Sequence, residues 1–213
     1  APLPASLHAE IERASGQRVL ERYGMTETLM LVSNPHDGER RPGSVGLPLP
    51  GVELRVAGER GEIEVRGPNV FDGYWRRPDA NAEAFSADGF FRTGDLGRIE
   101  ADGYVTLDGR AKELIISGGF NVYPREVEDV LRLHPEIEDV AVVGEPSAEW
   151  GERVAAYVVA RAPLELEALR RWIGDRLAPF KQPRALHRVD ALPRNALGKV
   201  QKHRFEAGRV RPE

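Results

Sequence analysis

The sequence contains no cysteine, which excludes disulfide bonds, thiolate metal sites and a cysteine nucleophile. This absence is typical of proteins from reducing compartments, and we expect a cytoplasmic location. Long apolar runs are also missing. The longest extends from Val154 to Ala160, far short of the ~20 residues that cross a bilayer, so we expect no membrane span.

The sequence has no excess of basic residues. Its 30 Lys and Arg residues stand against 34 Asp and Glu residues, giving a formal net charge of −4 at pH 7, which argues against a nucleic-acid partner. The five histidines are scattered, which argues against a histidine metal cluster. The patterns GxxxxGK[ST], GxGxxG and HExxH are absent, so the common P-loop, dinucleotide and zinc-protease motifs are excluded.

The hydrophobic pattern changes along the chain. A short helix is predicted over residues 6–14 and a short buried strand at residues 19–20. From residue 43 to residue 107, short alternating runs between turns rich in Gly, Pro and Asp predict antiparallel strands. Beyond a boundary at residues 108–112, apolar spacing predicts two helices, over residues 124–134 and from residue 166 to Pro179, together with three strands. The fold class is therefore α+β.

The segment from Tyr23 to Thr28 follows the predicted strand and combines groups that suit a nucleotide. Tyr23 could stack on a base, the Thr26 hydroxyl could donate to a phosphate, and Glu27 could hold Mg²⁺. The alternative is an ordinary polar turn at the end of a strand.

Two further loops carry chemistry-bearing residues. Asp95, in the Gly-flanked run Phe91–Gly97, could accept hydrogen bonds from both hydroxyls of a ribose, with Arg110 nearby. The alternative is a tight turn with a solvated arginine. Lys199 follows Gly198 in the run Pro193–Val200 and could reach a phosphate, or it could simply be solvated.

Together with the run Lys112–Pro124, these segments resemble the adenylate-forming acyl-CoA synthetase family in both order and spacing. The family includes acyl-CoA synthetases, luciferases and adenylation domains. Within it, the runs Glu21–Thr28, Gly67–Phe71 and Leu192–Lys202 look most like malonyl-CoA synthetases.

The resemblance implies an enzyme that joins a carboxylate, such as malonate, to ATP and then transfers the acyl group to coenzyme A. Lys199 matches the lysine that catalyses adenylation, and Glu27 matches the ligand of Mg²⁺. The positions that match ATP or AMP contacts are Tyr23, Gly24, Met25, Thr26, Asp95 and Arg110.

The resemblance also implies a mobile C-terminal domain over residues 109–213, with its hinge at Lys112 near residues 110–112. The positions that match coenzyme A contacts are Gly118, Gly119, Trp150 and Lys181. Some relatives carry Arg two residues after the aromatic that matches Phe180, where this sequence has Gln182, so the contact to a coenzyme A phosphate departs from the pattern.

The family's Ser/Thr/Gly-rich phosphate loop, expected upstream of Tyr23, has no counterpart here. We therefore expect a C-terminal portion of a synthetase, with residues 1–108 as the end of the large AMP-binding domain and the missing N-terminal portion as its partner. Two alternatives stay open. One is a non-catalytic fragment that binds a partner, and the other is an adenylation enzyme that loads a carrier protein.

Overall fold

The computed structural model describes residue 3, residues 5–206 and residues 208–211. The chain divides into two compact units, Ala1–Ala111 and Lys112–Glu213. Each combines helices with mainly antiparallel sheets, which confirms the α+β class. No helix in the described part is long and apolar enough to cross a membrane.

The first unit is built on two antiparallel sheets. One has the order β1-β2-β3 and the other the order β4-β5-β6-β7. Its elements are α1 (Ala5–Ser15), β1 (Arg22–Met25), β2 (Leu29–Ser33), β3 (Leu47–Pro48), β4 (Glu53–Ala57), β5 (Glu62–Arg66), α2 (Pro78–Ala84), β6 (Phe91–Ile99) and β7 (Val105–Arg110).

The alternation of side chains along β5 shows how this unit forms its core. Ile63 and Val65 are fully buried in the cluster that also contains Tyr23. Glu64 points to the other face, as the two-residue period of a strand requires, and its carboxylate lies 2.6 Å from the guanidinium of Arg55. The same sheet places β6 beside β7, and this pairing brings the predicted ribose-binding residues together.

The second unit is a sheet of order β10-β11-β8-β9, with one further strand parallel to β11 and a separate C-terminal hairpin. Its elements are β8 (Ile115–Ser117), β9 (Phe120–Val122), α3 (Pro124–Leu131), β10 (Ile137–Ser147), β11 (Gly151–Ala160), α4 (Leu166–Ile173), β12 (Ala185–Arg188), β13 (Phe205–Glu206) and β14 (Arg209–Val210).

Both faces of β11 are covered, which explains its unbroken apolar run. Val158 packs into a core with Leu131 and Leu169 from the two helices. Its neighbour Tyr157 points the other way and packs with Leu192 and Phe205. A strand buried on both faces has no polar face to alternate with its apolar one. The cluster around Tyr157 lies beneath the chain segments on either side of the predicted catalytic lysine, where Leu192 and Val200 pack into it.

Three sequence-based boundaries were wrong. Residues 19–20 are not a strand, because pairing begins where Arg22 lies opposite Ser33. Helix α3 ends at Leu131, so His134 lies in the turn that follows. Helix α4 ends before Gly174, whose φ of +47° breaks the helical path well short of Pro179.

His134 makes the stability of the second unit sensitive to pH. Its ring packs against Trp172 with 4.8 Å between centroids. Burial lowers the pKa of its imidazole by more than the negative charge of Glu136 raises it. The unfolded chain therefore takes up a proton that the folded chain resists. Stability falls as the pH drops below about 6.5, the ordinary histidine value.

We expect His134→Gln to flatten the decline of melting temperature between pH 7 and pH 5.5. An equal decline of the melting temperature in the parent chain and in His134→Gln would contradict this expectation. The exposed His203→Gln is the control.

Candidate functional site

The segment Tyr23–Thr28 forms the end of β1 and the turn into β2. Tyr23, Gly24 and Met25 are strand residues, and Thr26 begins the turn. The pairing slips by one residue between Tyr23 and Gly24. A Cβ atom on Gly24 would lie 1.9 Å from the carbonyl oxygen of Leu29, so only glycine fits this position.

Gly24→Ala is expected to destabilise the first unit by about 3 kcal/mol, because overpacking against rigid backbone forces the two strands apart. Thermal denaturation of the chain measures this. The control is Gly38→Ala, where the nearest atom to the new Cβ is the Pro35 side chain at 3.1 Å, and a small change is expected. Equal melting temperatures for the two variants would refute the steric argument.

A segment some 40 residues further along the chain holds this turn in place. The amide group of Asn69 donates to the carbonyls of Thr28 (2.7 Å) and Met30 (3.1 Å). The backbone N–H of Phe71 donates to the carbonyl of Glu27 at 2.8 Å, and the hydroxyl of Tyr74 donates to Glu27 Oε1 at 3.1 Å. Nothing local in the sequence links Asn69 or Tyr74 to the turn, so neither was predicted as a site residue.

Asp95 is the centre of a hydrogen-bonded cluster in the first unit. It is 7% exposed and lies within strand β6, directly opposite Arg110 on β7, so the predicted loop at this position was wrong. The hydroxyl of Tyr23 donates to Asp95 Oδ2 at 2.6 Å, and Arg110 Nε lies 2.8 Å from Asp95 Oδ1. Burial, followed by the charge of Asp95, raises the pKa of Tyr23 well above its ordinary value, so this phenol stays a neutral donor.

The structure thus brings Tyr23, Asp95 and Arg110 into direct contact. From the sequence, Tyr23 was predicted to stack on a base and Asp95 to bind a ribose, whereas the hydrogen bond between the two side chains was not predicted. Each carboxylate oxygen has two lone pairs, so Asp95 can hold a ligand hydroxyl together with these partners. Whether these residues contact a nucleotide stays a prediction.

The turn between β1 and β2 suits a Mg²⁺ ion only if phosphate oxygens of a bound nucleotide supply further ligands. The described residues contain no group of three or more His, Cys, Asp or Glu side chains that could hold a metal. Mg²⁺ commonly uses one or two carboxylates together with water and substrate phosphates. The half-buried carboxylate of Glu27, with the exposed Thr26 beside it, suits that mode.

In the second unit, Lys199 lies exposed on a closed loop. Its backbone N–H donates to Asn195 Oδ1 at 2.9 Å, and its carbonyl accepts from the N–H of Asn195 at 2.9 Å. Gly198 makes the turn with a φ of +76°. No ion pair of the Lys199 ammonium occurs among the described residues, so its charge is available to a ligand.

Lys199 and Lys112 line the same cavity of about 500 Å³ within the second unit. Lys112 lies in the helical turn Ala111–Glu113. Lys202 also lines the cavity, and its ammonium is 2.8 Å from the buried Glu128 and 3.3 Å from Glu113. The predicted hinge residue and the predicted catalytic lysine therefore line one cavity, which also contains the carboxylates of Glu113 and Glu152.

The predicted coenzyme A residues lie at and around the β8–β9 hairpin. Gly118 and Gly119 make its turn, with φ values of +58° and +83°. The N–H of Gly118 donates to the carbonyl of Trp150 at 2.9 Å, and a Cβ there would lie 2.7 Å from the Trp150 ring. The guanidinium of Arg184 covers that ring at 3.8 Å, a contact that the sequence analysis did not foresee.

Lys181 and Gln182 already have partners within the unit. The ammonium of Lys181 lies 2.6 and 2.7 Å from the two carboxylate oxygens of Glu126. The amide of Gln182 donates to the carbonyls of Gly174 and Leu177, just beyond α4. A ligand phosphate would therefore compete with Glu126 for Lys181.

Comparisons with known families and structures match both units. A family model described as "AMP-binding enzyme" matches residues 1–75, and one described as "AMP-binding enzyme C-terminal domain" matches residues 126–199. The malonate–CoA ligase of Arabidopsis thaliana is 39% identical over 219 residues, covering 94% of this chain and 36% of that protein. The sulfoacetate–CoA ligase of Cupriavidus necator is 43% identical, covering 95% and 42%.

A solved structure, ATP-bound MatB from Rhodopseudomonas palustris, matches with a TM-score of 0.90 and 49% identity, covering 95% of this chain and 43% of that one. Each unit is thus matched by a model of the AMP-binding enzyme family. The chain belongs to the adenylate-forming acyl-CoA synthetase superfamily. It spans about two-fifths of the length of these relatives.

Proposed function

We propose that this chain supplies the C-terminal residues of an ATP-dependent acid–CoA ligase. The observation that carries the proposal is the exposed ammonium of Lys199, which forms no ion pair among the described residues, on a closed loop at the position that matches the adenylating lysine of the superfamily. Relatives named as acid–CoA ligases, and a neighbour solved with ATP, support this class of reaction.

In the first half-reaction, the substrate carboxylate attacks the α-phosphorus of ATP and pyrophosphate leaves. Negative charge grows on the oxygens around the phosphorus during this step. The ammonium of Lys199 lowers the barrier by meeting that charge in the transition state. Asp95 binds the ribose hydroxyls, with Arg110 holding its carboxylate in place. Tyr23, Gly24 and Met25 line the adenine.

Glu27 and Thr26 face the phosphates in this proposal. When bound, Mg²⁺ supplies positive charge that neutralises the phosphate oxygens. The hydroxyl of Tyr74 fixes one oxygen of the Glu27 carboxylate, so the other keeps its direction. Asn69 fixes the backbone beneath it.

In the second half-reaction, the thiol of coenzyme A attacks the acyl carbon of the adenylate and AMP leaves. Lys112 serves as the hinge on which the second unit turns between the two steps. Gly118 and Gly119 let the backbone approach the pantetheine arm closely. Trp150 and Lys181 contact the nucleotide part of coenzyme A, with Lys181 exchanging Glu126 for phosphate.

Malonate is the proposed acid, because the malonate–CoA ligases are among the similar relatives and because of the sequence runs that resemble them. A chimera joining the preceding part of the Arabidopsis enzyme to this whole chain tests the proposal. We expect ATP-dependent formation of malonyl-CoA, with AMP and pyrophosphate as the other products.

Sulfoacetate and acetate are the competing acids in that test, and a carrier protein is the competing acceptor. A folded chimera that forms no thioester with any of these acids would contradict the proposed ligase. Acyl transfer to the carrier protein alone would support the carrier-loading alternative instead.

A further inference from the structure

Arg194 ties the loop of Lys199 to the sheet of the second unit. Its Nη1 donates to the carbonyl of Gly198 at 2.6 Å, and its Nη2 donates to Asp139 Oδ2 at 2.6 Å. Asp139 lies on β10. One guanidinium therefore spans the residue just before Lys199 and a fixed strand.

Apolar burial does little to hold this loop. Leu197, at its tip, is 82% exposed, and the residues from Arg194 to Lys199 are all exposed. The loop is closed by backbone hydrogen bonds, among them the one from the N–H of Asn195 to the carbonyl of Lys199 (2.9 Å), and by the side chain of Asn195, which accepts from the N–H groups of Leu197 (3.0 Å) and Lys199 (2.9 Å). Hydrogen bonds, rather than packing, set the conformation of the loop, and those of Arg194 connect it to the sheet.

We propose that Arg194, anchored by Asp139, is a positioning residue for Lys199. It fixes the backbone at Gly198 and so determines where the ammonium is presented. The planar fork of a guanidinium can serve a carbonyl and a carboxylate together, which a lysine cannot do with the same geometry. This inference rests on the proposed adenylating role of Lys199.

The ion pair of Arg194 is half-exposed, so its removal should loosen the loop and leave the fold intact. Beside it on β10, Glu138 forms an equivalent pair with Arg161 at 3.0 Å that does not touch the loop. Arg194→Met and Asp139→Asn are therefore matched by the controls Arg161→Met and Glu138→Gln.

Backbone order parameters of the whole chain, measured by NMR, give a readout that does not depend on activity. In Arg194→Met we expect the values for Leu197, Gly198 and Lys199 to fall from about 0.85, typical of rigid backbone, to below about 0.6. Arg161→Met should leave them unchanged, and melting temperatures should stay close to that of the parent. A rigid loop in Arg194→Met would overturn the inference.

Half-reactions of the chimera give the second readout. Arg194→Met should lower the rate of adenylate formation about tenfold, and it should leave thioester formation from preformed adenylate unchanged. Arg194→Lys should recover part of the loss. If Lys199→Ala stops adenylation but Arg194→Met does not slow it, the inference is wrong and the proposed function stands. If neither variant slows adenylation, the proposed role of Lys199 fails and the inference fails with it.

Discussion

Lys199→Ala is expected to slow adenylate formation by about 10²- to 10³-fold, the loss typical when one contact to transition-state charge (about 3–4 kcal/mol) is removed. The reason is that the exposed ammonium has no structural partner among the described residues, so its loss removes the proposed catalytic contact and no ion pair of the fold. Stopped-flow or exchange measurements on the chimera give the rate, and thermal denaturation should show an unchanged fold.

Lys181→Ala is the matched control for this experiment, because the sequence contains only four lysines and Lys181 is assigned to the other half-reaction. It should slow transfer to coenzyme A and spare adenylation. The rates of the two half-reactions are measured separately, one with the acid and one with preformed adenylate. If Lys199→Ala lowered both rates equally, the assignment of Lys199 to adenylation would be contradicted.

Asp95→Ala is expected to destabilise the first unit by about 2 kcal/mol, because the buried hydroxyl of Tyr23 would lose its acceptor. The half-exposed Arg110 can turn to water, so it adds little to the loss. The same change should weaken binding of ATP, since the proposed acceptor of the ribose hydroxyls is gone. Denaturation of the chain and nucleotide titration of the chimera measure the two effects.

A double-mutant cycle with Tyr23→Phe isolates the Tyr23–Asp95 contact, and neighbouring residues of this kind show coupling energies of about 0.5–3 kcal/mol. Asp102→Ala, which removes an exposed ion pair with Arg41 in the same unit, should change neither stability nor ATP binding appreciably. Additive effects of Tyr23→Phe and Asp95→Ala would show that the hydrogen bond is not a stabilising contact.

The fold class could be predicted from the sequence because buried apolar residues recur with the period of a strand or of a helix. Alternation in β4 and β5, and helical spacing after Pro124, are local patterns. The positions at which helices end were harder to predict from the sequence. The φ of +47° at Gly174 ends α4, whereas the sequence offers Pro179 as the more obvious stop. Residues 19–20 look like a strand in composition but have no strand to pair with.

The candidate site residues were predicted from local motifs, but the contacts among them were not, and their roles stay predictions. Tyr23 and Asp95 are 72 positions apart, and Asn69 reaches a turn about 40 positions away. Such contacts depend on strand register, which a single sequence does not specify. Arg194 lies within the run Pro193–Val200, yet its partner Asp139 is 55 positions distant. Its role could be recognised only from the structure.

Exchange of labelled pyrophosphate into ATP, dependent on malonate, is the most direct test of whether this chain completes an adenylating site. The preceding part of the Arabidopsis enzyme would be measured alone, mixed with this chain and fused to it. We predict exchange only when this chain is present, and its loss on Lys199→Ala. Equal exchange by the preceding part alone, or none in a folded chimera with any acid tested, would contradict the account.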